Sequence, residues 1–339
     1  MKSLKKHFFQ NAPRILFGAF FLCTSCKDEP TPVSSPEEPK TPETAAPSPK
    51  DTPKPPEGEP KAAHSNSIRF MAYNIENYLT MTRYMKGGVK KLTSKDPEEI
   101  KALVEIIVDE KPDILGICEI GTPEDLKDLQ TRLKDAGLDL PHTVHAGGSD
   151  TTRRLAILSA LPITANNSQD NLPFQIEGRE RLMGRGILDV TIALPNGPTH
   201  FVGLHLKSKR EVEDLDQAEI RLNEARLARS HCDAILAKDP NARIVVYGDM
   251  NDTRKTPPLS ILMGQYRSKD YIGDVFAKDS RGDLWTHFWS YQQQYSRFDW
   301  VLVSPSVYPE VSKEYSYIAD PENWNDASDH RAVVVTFGK

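Results

Sequence analysis

Ile244-Val-Val-Tyr247-Gly248-Asp249-Met250-Asn251-Asp252 decides the fold of this chain. Its first four residues are apolar without alternation, the mark of a strand covered on both faces. The next five form turns and carry amide and carboxylate groups. Ser328-Asp329-His330 and Ala332–Phe337 give the reverse order, polar residues and then a buried strand. Acceptor and acid–base side chains at the ends of core strands contribute little to packing. Together they suit a divalent cation and a phosphate.

Outward from these stretches, strands are read over 68–73, 113–118, 155–159, 187–194, 200–206, 243–247, 284–289, 298–303 and 331–337. Helices are read where periodicity lengthens to that of an amphipathic helix. One opens at Asp96-Pro97-Glu-Glu99 and runs to Glu110, with Pro97 at the first helical position and acids in the first turn. A second runs from Thr122-Pro-Glu-Asp125 to Ala136 before Gly137. A third, over 215–237, repeats Leu222, Ala225, Ala228, Cys232 and Ile235 at helical spacing. Such mixing predicts an α/β domain. Pro195-Asn196-Gly197-Pro198 joins two strands as a hairpin, so the sheets must be mixed. Two mixed sheets packed face to face with helices outside, a four-layer α/β/β/α sandwich, satisfy both patterns.

The N-terminus belongs to a different regime. Lys2, Lys5, Lys6 and Arg14 precede the apolar octet Ile15–Leu22, which is too short to span a bilayer and suits a secretory signal over residues 1–26. The signal ends in Cys23-Thr-Ser-Cys26 and resembles that of a bacterial lipoprotein, with Cys26 as the lipidated residue, although Cys23 stands where Leu is usual. A plain secretory signal is the rival reading. Residues 27–65 hold eleven of the 26 prolines among charged and small residues. That composition predicts a disordered tether, spanning roughly 35 Å as a flexible coil. The expected location is therefore the cell envelope, on an outer membrane, with a catalytic domain over 66–339. Lysine and arginine number 34 there against 40 aspartates and glutamates, a net of −6, so no basic field marks tight nucleic-acid binding. Cys118 and Cys232, both in apolar contexts, read as one disulfide or as two buried thiols.

Polar residues close most strands. They are Asn74, Glu119, His205, Asp249 with Asn251, Asp299, and Asp329 with His330. Packing the sheets face to face brings these ends to one edge. The set holds carboxylates, amides and imidazoles with no nucleophilic Ser or Cys among them, and its hard oxygens suit Mg²⁺, Mn²⁺ or Ca²⁺ better than zinc.

Tyr73-Asn-Ile-Glu-Asn77, Pro112-Asp-Ile-Leu-Gly-Ile-Cys-Glu119, His205-Leu-Lys-Ser208, Gly248–Asp252, Arg297-Phe-Asp-Trp300 and Ser328–His330 occur in this order. The series resembles the endonuclease/exonuclease/phosphatase superfamily, which includes DNase I-like nucleases, inositol polyphosphate phosphatases and neutral sphingomyelinases. The resemblance implies the same four-layer fold. It implies that Glu119 is the principal metal ligand, with Asn74 beside it and Asp329 near the metal. Asp249 would orient or deprotonate water, Asn251 would hold the phosphate, and Asp299 with His330 would form an Asp–His pair. His205 would contact phosphate or serve the leaving group. Cys118 stands where Gln is frequent and Trp300 where Tyr is frequent.

Among the cations, Arg185 and Lys207 are expected to bind substrate, within a wider rim of Arg153, Arg154, Arg179, Arg181, Lys209 and Arg210. Trp285 and Trp289 read as core, and no apolar hairpin for membrane insertion is evident. The expected activity is metal-dependent phosphodiester hydrolysis of nucleic acid by a monomer. Phospholipid or sphingomyelin hydrolysis, small phosphoester hydrolysis and a non-catalytic binding role remain open.

Overall fold

Alternation along the strand Ile68–Tyr78 sorts its side chains into two cores. In a computed structural model that describes residues 67–84, 89–212 and 215–338, Phe70 and Ala72 enter one apolar cluster and Met71, Tyr73 and Ile75 another. The signal, Cys26 and the tether lie outside the described residues.

The first sheet has the order Val311–Ile318, Val333–Phe337, Ile68–Tyr78, Ile114–Ile120, Arg154–Ser159, His142–Ala146. Ile68–Tyr78 pairs parallel to Ile114–Ile120 and antiparallel to Val333–Phe337, so the sheet is mixed. The second has the order Gly273–Asp274, Asp299–Val303, Arg243–Asp249, Gly197–His205, Leu188–Leu194, Ile163–Asn166. It mixes the parallel pair Gly197–His205/Arg243–Asp249 with antiparallel neighbours.

The sheets face each other through Phe70, Ile157, Val190, Phe201, Val245, Tyr247, Val301 and Val333, all buried in one cluster. Helices Pro97–Glu110 and Pro123–Asp135 cover the outer face of the first sheet through Leu103, Ile107, Leu129 and Leu133. Gln217–Lys238 and Pro257–Met263 cover the second through Ala225, Ala228, Cys232 and Leu262. The fold is thus a four-layer α/β/β/α sandwich, and strands buried on both faces explain the unbroken apolar runs. Cys118 and Cys232 are free buried thiols in different layers, not a disulfide.

Caps fix the helix starts. Asp96 accepts the N–H of Glu98, Thr122 and Asp125 form a reciprocal capping box, and Asp216 accepts the N–H of Ala218. One expected strand lies elsewhere. The segment read as 284–289 is shorter, His287–Trp289, and forms a two-stranded hairpin with Gln294–Ser296, tied to the first sheet's approach by an isolated bridge from His287 to His330.

Candidate active site

The same alternation that builds the inter-sheet core delivers the site. Inward positions 70 and 72 lead to Asn74, 245 and 247 lead to Asp249, and 301 and 303 lead back to Asp299, while His205 ends the neighbouring strand directly beside Asp249. Glu119 departs from it. Cys118 takes the inward position and donates to Leu204 O at 3.5 Å, and Glu119 is re-aimed by a positive φ of 70° at a register shift between Cys118 and Ile120. Gly248, at φ 125°, allows the backbone to pass Leu204, whose carbonyl oxygen lies 2.0 Å from where a Cβ would stand.

These groups meet at one cleft of about 430 Å³ lined by Glu76, Glu119, Arg153, Arg185, His205, Lys209, Arg210, Asp249, Asn251, His287, Asp329 and His330, among others. Asn74 and Asp299 are buried and hydrogen-bonded to residues that line it. The Asn74 amide nitrogen donates to Asp249 Oδ2 at 3.1 Å and lies 3.5 Å from Glu119 Oε1 and 3.4 Å from His330 Nε2. Glu119 Oε2 accepts the N–H of Asn77 at 2.9 Å. His205 Nε2 lies 3.5 Å from Asp249 Oδ2 and 3.9 Å from Glu119 Oε1. Asn251 donates its N–H to Asp249 Oδ1 at 2.8 Å and its amide nitrogen to Leu206 O at 3.0 Å.

Asp299 Oδ2 lies 2.7 Å from His330 Nδ1 and fixes the imidazole, while His330 Nε2 faces Asp249 at 3.8 Å and Asp329 at 3.8 Å. Both backbone N–H groups of Phe298 and Asp299 donate to Thr286 Oγ1 at 3.0 Å, which holds the aspartate in place.

The floor of the cleft is electrostatically unbalanced. Burial pushes the Asp249 carboxyl up to about 7, against the pull of His330 and with the help of Asp299 and Glu119. Burial and the neighbouring Asp329 raise Glu76 to about 7 as well. Burial drives His205 well below the ordinary imidazole value. Burial works the same way on His330, yet Asp299, Asp249 and Asp329 hold it well above that value. The site thus favours the protonated form of His330 and the neutral form of His205, beside carboxylates that repel one another. The Glu119 carboxylate offers hard oxygens that fit a divalent cation, which would relieve the repulsion, whereas the Asn74 amide oxygen here accepts the N–H of Glu76 at 3.1 Å. His287, Asp329 and His330 place three ligand-type atoms within 4.8 Å of one another, but a protonated His330 has no lone pair to give a cation.

Of the residues expected from sequence, Asn74, Glu119, His205, Asp249, Asn251, Asp299, Asp329, His330 and Arg185 are brought together here. Asp329 sits with His287, 3.7 Å from its Nε2, and its N–H donates to Glu76 at 3.0 Å. Lys207 is the exception. Its ammonium donates to Ser208 O, Ser208 Oγ and Arg210 O, and Lys209 and Arg210 line the cleft in its place.

Sequence reasoning missed Glu76, His287 and Thr286. His287 reaches His330 only through an isolated bridge between the two residues, a pairing with no local sequence signal. Trp289, read as core, is 47 % exposed on the hairpin beside the cleft.

The fold recurs in solved structures. Truncated TDP2 from Caenorhabditis elegans has a TM-score of 0.54 at 17 % identity, covering 80 % of this chain and 98 % of that one. Sphingomyelinase C from Streptomyces griseocarneus has a TM-score of 0.52 at 14 % identity, covering 80 % and 99 %. An endonuclease/exonuclease/phosphatase family protein from Bacteroides thetaiotaomicron has a TM-score of 0.53 at 16 % identity, covering 80 % and 94 %. No curated protein matches the chain. A sequence profile of the Endonuclease/Exonuclease/phosphatase family matches residues 73–327, and the chain belongs to that family.

Proposed function

We propose that this chain is a divalent-metal-dependent phosphodiesterase of nucleic acid, working as a monomer in the cell envelope. The observation that carries the reading is the Asp299–His330 pair, 2.7 Å apart, aimed at Asp249, which lies beside the Glu119 carboxylate and the Asn74 amide. Mg²⁺, or Mn²⁺ or Ca²⁺ on the same donors, would supply polarisation of a phosphoryl oxygen. Glu119 and Asn74 would hold it, with Asp329 nearby. Asp249, poised near neutrality, orients the attacking water and accepts its proton. His330, kept protonated by Asp299, stabilises charge on the pentavalent phosphorus. Asn251 would hold the phosphate, with Arg153 and Arg185 in the same lining. Family membership supports a phosphoesterase in general terms, and a related fold, the Staphylococcus aureus beta toxin, has been seen with bound magnesium ions.

Nucleic acid is preferred as substrate because the cleft combines these cations with aromatic rings and amides at its lip. A second reading, hydrolysis of a phospholipid or sphingomyelin phosphodiester, draws on the same exposed rings and on the likeness to sphingomyelinase C. An exported protein held by Cys26 on an outer membrane, with residues 27–65 as tether, accords with either substrate. Among the described residues no helix is long and apolar enough to cross a membrane.

The test exposes supercoiled plasmid, RNA and sphingomyelin vesicles to the full chain with Mg²⁺ or EDTA. Mg²⁺-dependent cleavage of a nucleic acid is expected. Intact nucleic acids with hydrolysed vesicles would replace the first reading by the second.

A further inference from the structure

The hairpin His287–Trp289/Gln294–Ser296 separates two cavities. Its register pairs His287 with Ser296, Phe288 with Tyr295 and Trp289 with Gln294. Alternation therefore turns His287, Trp289, Gln294 and Ser296 toward the catalytic cleft, which all four line. Phe288 and Tyr295 take the other face. There Tyr295 stacks on Phe288 with centroids 4.5 Å apart and packs on Trp285 at 4.7 Å, and Trp285 meets Trp324 edge-on at 5.2 Å.

The back rings pack on one another and on Trp285, although Tyr295 remains 55 % exposed. Trp289 lines the cleft and Tyr291 sits on the turn beside it. Trp289 is 47 % exposed and Tyr291 85 % exposed, with centroids 6.3 Å apart and planes 33° from parallel. The turn around them contributes Ser290, Gln292, Gln293 and Gln294, which offer hydrogen-bond donors and acceptors. Trp and Tyr rings suit a lipid interface as well as a base, and the groups beside them favour the base. A hairpin built to receive bases needs ring faces, amides for base edges and cations for the backbone. Arg153, Arg185, Lys209 and Arg210 line the same cleft.

The geometry points to Trp289 and Tyr291 as a stacking subsite for unpaired bases next to the phosphate held at the catalytic residues. This rests on the nuclease reading and narrows its substrate to single strands, loops and frayed ends. A duplex keeps its base faces covered by neighbouring bases and cannot offer them to an indole, whereas an unstacked base has a free face of any sequence. The subsite therefore selects strandedness rather than sequence.

The experiment measures fluorescence polarisation of a labelled oligothymidylate on the full chain in EDTA, beside a duplex and an abasic strand of equal length. Stacking on a single ring is worth about a tenfold change in affinity or more. Trp289→Ala should weaken oligothymidylate binding by about tenfold, Trp289→Phe should restore most of it, and abasic-strand binding should stay the same in all three proteins. Tyr291→Ala, at a position exposed enough to spare the fold, should act in the same direction. The subsite is overturned if both alanine variants bind oligothymidylate as the parent does, or if they lose the abasic strand equally. It is also overturned if their loss appears on sphingomyelin vesicles and not on the oligonucleotide. Cleavage of the same strand by the parent protein in Mg²⁺ reads the nuclease assignment separately.

Discussion

Replacing Asp249 by asparagine should remove activity and, without metal, make the protein more stable. The carboxyl is buried beside Asp299 and Glu119, and its value rises from 3.8 to about 7. A folded-state value above the unfolded one means that, between about pH 4 and 7, the native protein holds a proton that the unfolded chain has released. Stability must then fall as pH rises across that window. At 1.36 kcal/mol for each tenfold change in proton affinity, the full displacement corresponds to about 4 kcal/mol lost by pH 8. The side-chain amide introduced by Asp249→Asn would keep one carbonyl acceptor for the Asn251 N–H. It would present an amide nitrogen or a weaker acceptor to Asn74, a hydrogen-bond loss of about 1–2 kcal/mol. The net gain is about 2 kcal/mol, or roughly 4–8 °C in Tm for a domain of this size.

Calorimetry in EDTA from pH 5 to 8.5 should show the Asp249→Asn curve pulling ahead of the parent as pH rises. Mg²⁺ should narrow the gap, because binding to the native site adds stability chiefly to the parent protein. A variant no more stable than the parent at pH 8, or a difference that ignores pH, would refute the reasoning about strain at this carboxylate.

Other outcomes follow from the same geometry. Glu119→Gln should move the Mg²⁺ dependence of hydrolysis to concentrations at least about tenfold higher, since a charged oxygen ligand becomes neutral; an unchanged titration would remove Glu119 from the metal site. The ratio kcat/KM should rise with pH as Asp249 ionises, on a limb that a bound cation displaces to lower pH, and a profile with no rising acid limb would argue against Asp249 as the base. Gly116→Ala places a Cβ 2.2 Å from the Tyr247 ring between the sheets and should cost about 2–3 kcal/mol in denaturant unfolding, with an unshifted midpoint as the contrary result. Cys26→Ser should move the protein from the membrane to the soluble fraction, and continued sedimentation with membranes would exclude the lipid anchor.

Most of the site could be read from the sequence because the strands run straight into it. Inward-facing Asn74, Asp249 and Asp299 continue the period of the core residues beneath them, and the helix starts at Asp96 and Thr122 carry local signals, whereas the third helix begins at Gln217, two residues after the expected start, with Asp216 as its cap. What alternation could not supply lies where alternation stops. Glu119 reaches the cleft only by a positive φ, a backbone event with no compositional mark. Lys207 shares parity with His205, but the strand ends at His205 and the side chain turns to its own loop. Edge strands such as His142–Ala146, Ile163–Asn166 and Val311–Ile318 are partly exposed, so their apolar pattern is thin. His287 and Trp289 belong to a hairpin that joins neither main sheet, and the aromatic run there imitates a core strand.

The most direct measurement is Mg²⁺-dependent cleavage of supercoiled plasmid by the full chain beside His330→Ala, with melting curves for both. The account predicts nicking by the parent that EDTA abolishes, and a folded variant whose rate falls by at least about 100-fold, the size of a lost acid–base or charge-stabilising group. A variant that nicks at the parent's rate would contradict it, as would a parent protein whose nicking is indifferent to EDTA.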